Sequence, residues 1–138
     1  MPAVLVDSNV LIDVATGSPR WAEPARDAIA RAGGVSELII NPVVFAEVSI
    51  SFARIEELDD LLPTAIFRRE EIPWEAAFLA GKAFLAYRRS GGERLAPLPD
   101  FFIGAHAAVR GYELLTRDAH GFRSYFPTVT IISPETHP

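Results

Sequence analysis

The sequence predicts an α/β domain: a five-stranded parallel sheet with helices on both faces. Short apolar runs alternate with stretches of helical periodicity along the whole chain. Those runs are almost wholly apolar, as strands covered on both faces are. Glycines and prolines fall at the boundaries between them. A length of 138 residues suits one domain, spanning 1–138, with a core large enough to need no disulfides.

The elements follow in order. Val4-Leu5-Val6 reads as a buried strand ending at Asp7. Ser8 to Val14 turns into a short helix, broken by Gly17-Ser18-Pro19. Residues 20 to 32 place Trp21, Ala25, Ala28, Ile29 and Ala32 on one helical face, and Gly33-Gly34 ends that helix. Glu37 to Ile40 is the second strand. Asn41 suits an N-cap and Pro42 the first helical position of an apolar helix from Val43 to Phe52. A further helix spans Ile55 to Leu62, closed by Pro63, and Ala65-Ile66-Phe67 is the third strand.

Pro73 opens a long helix whose Trp74, Ala77, Phe78, Phe84 and Leu85 are read mostly as core, with part of the face available for dimerisation. It stops at Gly91-Gly92. A loop through Pro97 and Pro99 leads to Asp100, the expected cap of a helix reaching Arg110 and ended by Gly111. Glu113-Leu114-Leu115 is the fourth strand, Asp118 to Phe122 one helical turn, and Val129 to Ile132 the fifth strand. The tail from Ser133 is expected to fray.

Composition narrows the function classes. Hydrophobic residues make up 49% and charged residues 22%, as in a globular domain. Cysteine is absent, which excludes disulfides and thiolate chemistry and fits a reducing cytoplasm. The Ala3 to Val6 run is too short for a signal-peptide core, and no stretch reaches a membrane span. A net charge of −5 argues against coating nucleic acid by charge alone and favours a basic partner segment. It leaves a nuclease open, because bound cations offset acidic residues locally.

In open α/β sheets, ligands bind beyond the carboxyl ends of the strands. Asp7 stands there after the first strand, and Thr116 and Asp118 after the fourth. Asp100 begins the helix that feeds the fourth strand. Glu47 lies one turn into the helix after the second, among Val43, Val44, Phe45, Ala46, Val48 and Ile50. Singly, Asp7, Asp100 and Asp118 fit ordinary cap or turn roles. Glu47 stands out, since a lone glutamate in so apolar a helix calls for a partner, a metal or a rim position. Two carboxylates about 5 Å apart repel by roughly 3 kcal/mol at an effective dielectric near 20. Four at one sheet edge therefore call for a cation or raised pKa values. Hard oxygen donors select Mg²⁺ or Mn²⁺, which activate water in phosphodiester cleavage.

Asp7-Ser8-Asn9-Val10-Leu11-Ile12-Asp13 resembles the opening of PIN-domain proteins. Asn41-Pro42-Val43-Val44-Phe45-Ala46-Glu47 is similar to their second motif, Asp100 to Ala107 to their third, and Leu114-Leu115-Thr116-Arg117-Asp118 to their fourth. Their order and the chain length resemble compact VapC-type toxins of bacterial toxin–antitoxin pairs. The resemblance implies a PIN-like three-layer fold, Mg²⁺- or Mn²⁺-dependent endoribonuclease activity, a homodimer and a VapB-like antitoxin with a basic C-terminal segment. It implies that Asp7, Glu47, Asp100 and Asp118 form the catalytic, metal-binding quartet, supported by Asn9 and Thr116.

Other residues carry plainer expectations. Asp13 is read as structural or solvated, His106 as packed, and His120 and His137 as a turn and a tail residue. No histidine pair has zinc-ligand spacing. Arg88, Arg89 and Arg94 read as a solvated helix terminus with RNA phosphate contact as the alternative. Arg117 is a candidate phosphate contact. Two other functions use the same residues: a phosphatase or phosphotransferase with Asp7 as nucleophile, and a non-catalytic acidic module for a basic peptide or RNA.

Overall fold

The computed structural model describes residues 1–92 and 98–134. The expectations for Arg94, Pro97, His137 and the end of the tail fall outside those residues. The chain runs β1 (Val4–Val6), α1 (Ser8–Thr16), α2 (Ala22–Val35), β2 (Leu38–Ile40), α3 (Pro42–Ser49), α4 (Ile55–Leu61), β3 (Phe67–Arg69), α5 (Trp74–Arg89), α6 (Pro99–Arg110), β4 (Glu113–Leu115), α7 (Ala119–Tyr125) and β5 (Ile131–Ile132).

The five strands form one sheet in the order β3-β2-β1-β4-β5, every neighbour parallel. Each residue of β1 and β2 is buried, as the apolar runs require of strands covered on both faces. The chain builds outward from β1 on one side and then returns to start β4 on the other. The strand order therefore switches between β1 and β4, and a crevice opens at their carboxyl ends.

Several boundaries differ from expectation for identifiable reasons. Gly33-Gly34 does not end α2, which continues to Val35. A Cβ on Gly33 would stand 3.1 Å from Leu38 Cδ1, so the bare backbone lets the helix pass close to β2. The third strand begins two residues late. The Pro63 carbonyl accepts from the amides of Ile66 and Phe67 at 3.0 and 2.9 Å, and this turn takes up Ala65 and Ile66. Phe67 then pairs with Leu38, and exposed Arg68 and Arg69 blunt the sheet edge.

The α3 helix stops at Ser49 instead of Phe52. Its end unwinds into shorter i to i−3 bonds, Ser51 to Val48 and Phe52 to Ser49 at 3.1 Å each. The last helix is longer than the expected single turn, reaching Tyr125, and β5 is shorter.

The largest correction concerns α5. Its buried residues are Ala76, Ala80 and Ala83, whereas Trp74 is 88% and Phe78 69% exposed. Leu85 is also exposed. Small residues let α5 lie close against α6, which leaves Trp74, Phe78 and Leu85 facing outward, while Phe84 packs against Phe101 and the core as expected. The start of α6 is anchored by aromatic packing. The Phe101 ring lies 5.4 Å from Tyr125 and 5.6 Å from Tyr87, centre to centre.

Where α6 meets α7, Gly104 leaves no room for a side chain. An added Cβ would fall 2.3 Å from Phe126 Cδ2 and 3.1 Å from Phe122 Cδ1. Gly104→Ala is expected to destabilise the fold by roughly 1–3 kcal/mol through overpacking. Urea unfolding checks this; an unchanged midpoint would contradict the close packing.

Candidate active site

The β1 strand delivers Asp7 to the crevice with its backbone amide bonded to the Leu115 carbonyl at 2.9 Å. Asp7 is the N-cap of α1 and only 2% exposed. Its Oδ1 accepts the Ser8 amide at 2.7 Å, and its Oδ2 accepts the Thr116 hydroxyl at 2.7 Å. Thr116 follows β4 directly and is fully buried. Its hydroxyl oxygen also accepts from the Asp118 amide at 3.0 Å and from Asn9 Nδ2 at 3.4 Å. One threonine hydroxyl thus joins Asp7, Asn9 and Asp118.

Glu47 projects from half-buried α3, and its Oε1 accepts the Ser8 hydroxyl at 2.6 Å. Asp118 caps α7, accepting the Gly121 amide at 3.4 Å. Asp100 sits in the first turn of α6 without capping it; Leu98 holds the cap position, and Asp100 opens to solvent on one side. Its charge is welcome there because the helix N-terminus is positive.

The four carboxylates share one electrostatic environment. Burial raises the Asp7 carboxyl to about 7, and the charges of Asp100 and Glu47 add to the effect; bonds from Thr116 and Ser8 oppose it. Burial also raises Asp100, with further contributions from Glu47 and Asp118. Among the described residues, no three carboxylate or imidazole side chains converge as a ready-made cage for one ion. Mg²⁺ commonly takes only one or two carboxylates and keeps several waters. The donor chemistry therefore fits a hard cation: all-oxygen, anionic and mutually repelling.

A second acidic centre lies at the end of β3 and has the opposite character. Glu70 accepts the Tyr112 hydroxyl at 2.7 Å and pairs with His106 Nε2 at 2.6 Å, Arg68 at 3.1 Å and Arg110 at 3.4 Å. Burial alone would raise its carboxyl, but the bonds from Tyr112 and His106 and the Arg110 charge hold it down at about 2. His106 is fully buried, and its Nδ1 lies 3.0 Å from Asn41 Nδ2. Burial lowers the imidazole pKa. A neutral ring protonated on Nε2 satisfies both contacts, donating to Glu70 and accepting from Asn41. Asn41 caps α3 through its Oδ1, so this network ties α3, bearing Glu47, to α6, bearing Asp100.

The Ser8 hydroxyl has no signal in the sequence for its bond to Glu47 beyond its position directly after Asp7. Asp13 and Arg117 stand far apart in the sequence. They form a two-pronged ion pair at 2.9 and 3.2 Å, so Arg117 has a protein partner for its charge. Arg88 and Arg89 lie exposed in the last turn of α5, and His120 is exposed beside Asp118.

The PIN-domain family model matches residues 4–125. No curated protein matches the chain in sequence. Several solved structures share its fold. A chain in VapBC2 from Rickettsia felis, bound to a promoter DNA fragment, aligns with a TM-score of 0.73 at 14% identity, covering 95% of this chain and 98% of that one. A toxin–antitoxin complex from Klebsiella pneumoniae aligns at 0.70 and 22% identity, covering 96% and 98%. FitAcB from Neisseria gonorrhoeae aligns at 0.68 and 18%, covering 98% and 99%.

The raised Asp7 pKa has a consequence for stability. The folded carboxyl near 7 binds its proton more tightly than the unfolded one near 3.8. Ionised Asp7 therefore destabilises the metal-free fold, from nothing below pH 4 to roughly 4 kcal/mol above pH 7. Asp7→Asn should melt higher than the parent in chelator at pH 8, and the gain should vanish toward pH 4. A pH-independent difference in thermal melts would refute the assigned shift.

Proposed function

This chain belongs to the PIN-domain family, and on that premise we propose that it is a metal-dependent endoribonuclease, the toxin of a toxin–antitoxin pair. The observation that carries the reading is the carboxylate group at the switch crevice, where burial pushes Asp7 up to about 7 and the charges of Asp100 and Glu47 add to the effect. A centre built for stability would neutralise such charges, as the surroundings of Glu70 do. Here the neighbouring acids instead add to the effect of burial on Asp7, an arrangement that a bound cation would relieve.

Bound Mg²⁺ or Mn²⁺ would supply the positive charge that activates water and stabilises the leaving oxygen. Asp7 and Asp100 are the proposed principal ligands, with Glu47 and Asp118 completing the quartet. The protein's part is orientation. Thr116 and the Ser8 amide hold both oxygens of Asp7, and the Ser8 hydroxyl holds Glu47. Asn9 donates to Thr116 and accepts the Arg117 amide at 3.2 Å, which sets the spacing between α1 and the loop after β4. A carboxylate left free of cations can accept a proton from an attacking water.

Asp7→Asn and Asp100→Asn should each lower cleavage of a susceptible RNA by at least about 100-fold while the fold persists. Excess chelator should do the same to the parent, and Mn²⁺ should restore it. Undiminished activity in either variant would sink the site assignment. Calorimetry showing no Mn²⁺ binding at neutral pH would favour an acidic binding module instead, and a trapped phosphate on Asp7 a phosphotransferase.

The proposed partners follow from charge and exposed surface. A net charge of −5 and an acidic crevice suit an antitoxin with a basic C-terminal segment. A second copy of the chain is the proposed cover for exposed Trp74, which lines an apolar depression with Val43, Ile72, Ala77 and Phe102, and for exposed Phe78, one turn farther along α5. Trp74→Glu combined with Phe78→Glu should shift the protein from dimer to monomer in sedimentation equilibrium. A parent that is already monomeric at tens of micromolar would end that proposal.

A further inference from the structure

Asp13 is an acidic side chain on an otherwise apolar stretch of α1, only 6% exposed. Such a charge needs a partner, and Arg117 supplies a matched one. Nε donates to Asp13 Oδ2 at 2.9 Å and Nη2 donates to Oδ1 at 3.2 Å. The guanidinium also stands 4.8 Å from the centre of the Trp21 ring, and Arg20 stands 4.9 Å from the same ring. A planar fork held by two bonds along one edge and against a ring has little freedom to swing toward a ligand. Arg117 is the residue between Thr116 and Asp118. Its backbone amide is held by Asn9, and the next amide by the Thr116 hydroxyl.

We infer that Asp13, acting through Arg117, is a positioning residue that sets where Asp118 stands relative to Asp7. The loop after β4 is otherwise fastened at the very start of α1, through Asn9 by bonds of 3.2 and 3.4 Å and through the Thr116 hydroxyl to the cap residue Asp7 at 2.7 Å. The Asp13–Arg117 pair adds a charge-assisted brace between the same two elements, farther along α1. Without it the loop can shift, and Asp118 moves with it. For its kinetic arm the inference rests on the nuclease reading, where a displacement of about 1 Å can cost on the order of 100-fold in rate.

The test uses the full chain with Asp13→Asn, which keeps one acceptor, and Arg117→Lys, which keeps the charge but loses the fork. In metal-free protein, amide exchange at Arg117 and Asp118 should quicken by about tenfold or more in both variants. Exchange at Leu114, inside the sheet, should stay unchanged and report an intact fold. On RNA, kcat should fall by about 10- to 100-fold with KM within about twofold. The double variant should be no worse than Arg117→Lys alone, since both break one brace. Unchanged exchange with a raised KM and constant kcat in Arg117→Lys would overturn the inference and make Arg117 a phosphate contact. If the parent cleaves no RNA, the nuclease reading falls, and the exchange rates still decide the brace.

Discussion

A carboxylate buried at the end of the central strand is the constraint around which the site is arranged. The polypeptide places Asp7 there because β1 has neighbours on both sides and α1 starts at once. The backbone cannot turn aside, so the side chain points into the crevice between β1 and β4. Burial would disfavour its charge by several kcal/mol without compensation. The compensation provided is partial: the Ser8 amide, the Thr116 hydroxyl and a longer contact from the Ser8 hydroxyl at 3.4 Å, with no Lys, Arg or His side chain among the contacts described. The strand pairing beside the crevice keeps the amide and Thr116 bonds in place. Thr116 must be fully buried to reach Oδ2, and Leu115 must pair with Val6 to bring Thr116 level with Asp7.

The two acidic centres separate charge used for structure from charge held in reserve. Glu70 lies at the carboxyl end of β3, in the same layer of the sheet as Asp7. It is met by two arginines, a tyrosine and a histidine, and its carboxyl is stabilised as an anion. Asp13 is buried almost as deeply as Asp7 and is met by a guanidinium fork. The chain is thus able to pair its buried acids where architecture requires it. At Asp7 the neighbouring charges are those of two more acids, Asp100 and Glu47, which add to the effect of burial. Proteins retain such locally unfavourable arrangements mainly where a ligand relieves them.

Much of this was legible in the sequence because the informative residues are local. Apolar runs of strand length, Asn41-Pro42 at a helix start and Gly111 at a helix end each act within a few positions. The strand ends then place Asp7 and Asp118 at one edge of a parallel sheet without any tertiary knowledge. The errors share one cause, which is that tertiary contacts override local propensity. Gly33-Gly34 reads as a stop, but the helix continues and Gly33 makes a close crossing over Leu38. Trp74 and Phe78 read as core because apolar side chains usually are, yet alanines take the inner face of α5. Ala65-Ile66 has strand composition, but the Pro63 turn uses both residues before pairing begins. The Ser8–Glu47 and Asp13–Arg117 contacts span 39 and 104 positions, and nothing in single-residue patterns connects them.

These long-range contacts also explain how short elements can hold a site to useful precision. Each strand that leads into a site-bearing segment is only three residues long, too short to fix the crevice by ladder bonds alone. The loops and helix starts beyond them need separate fastening. Three sets of contacts provide it: Ser8 to Glu47 joins α1 to α3, the Asn41–His106–Glu70 chain joins α3 to α6, and Asn9 with Asp13 joins α1 to the loop after β4. Phe101, one residue beyond Asp100, packs between Tyr87 and Tyr125 and holds the fourth corner. Each carboxylate is therefore carried by an element tied to at least one other, so their repulsion cannot be relieved by one element drifting away. Held together in this way, the acids can relax by taking up protons or by binding a cation.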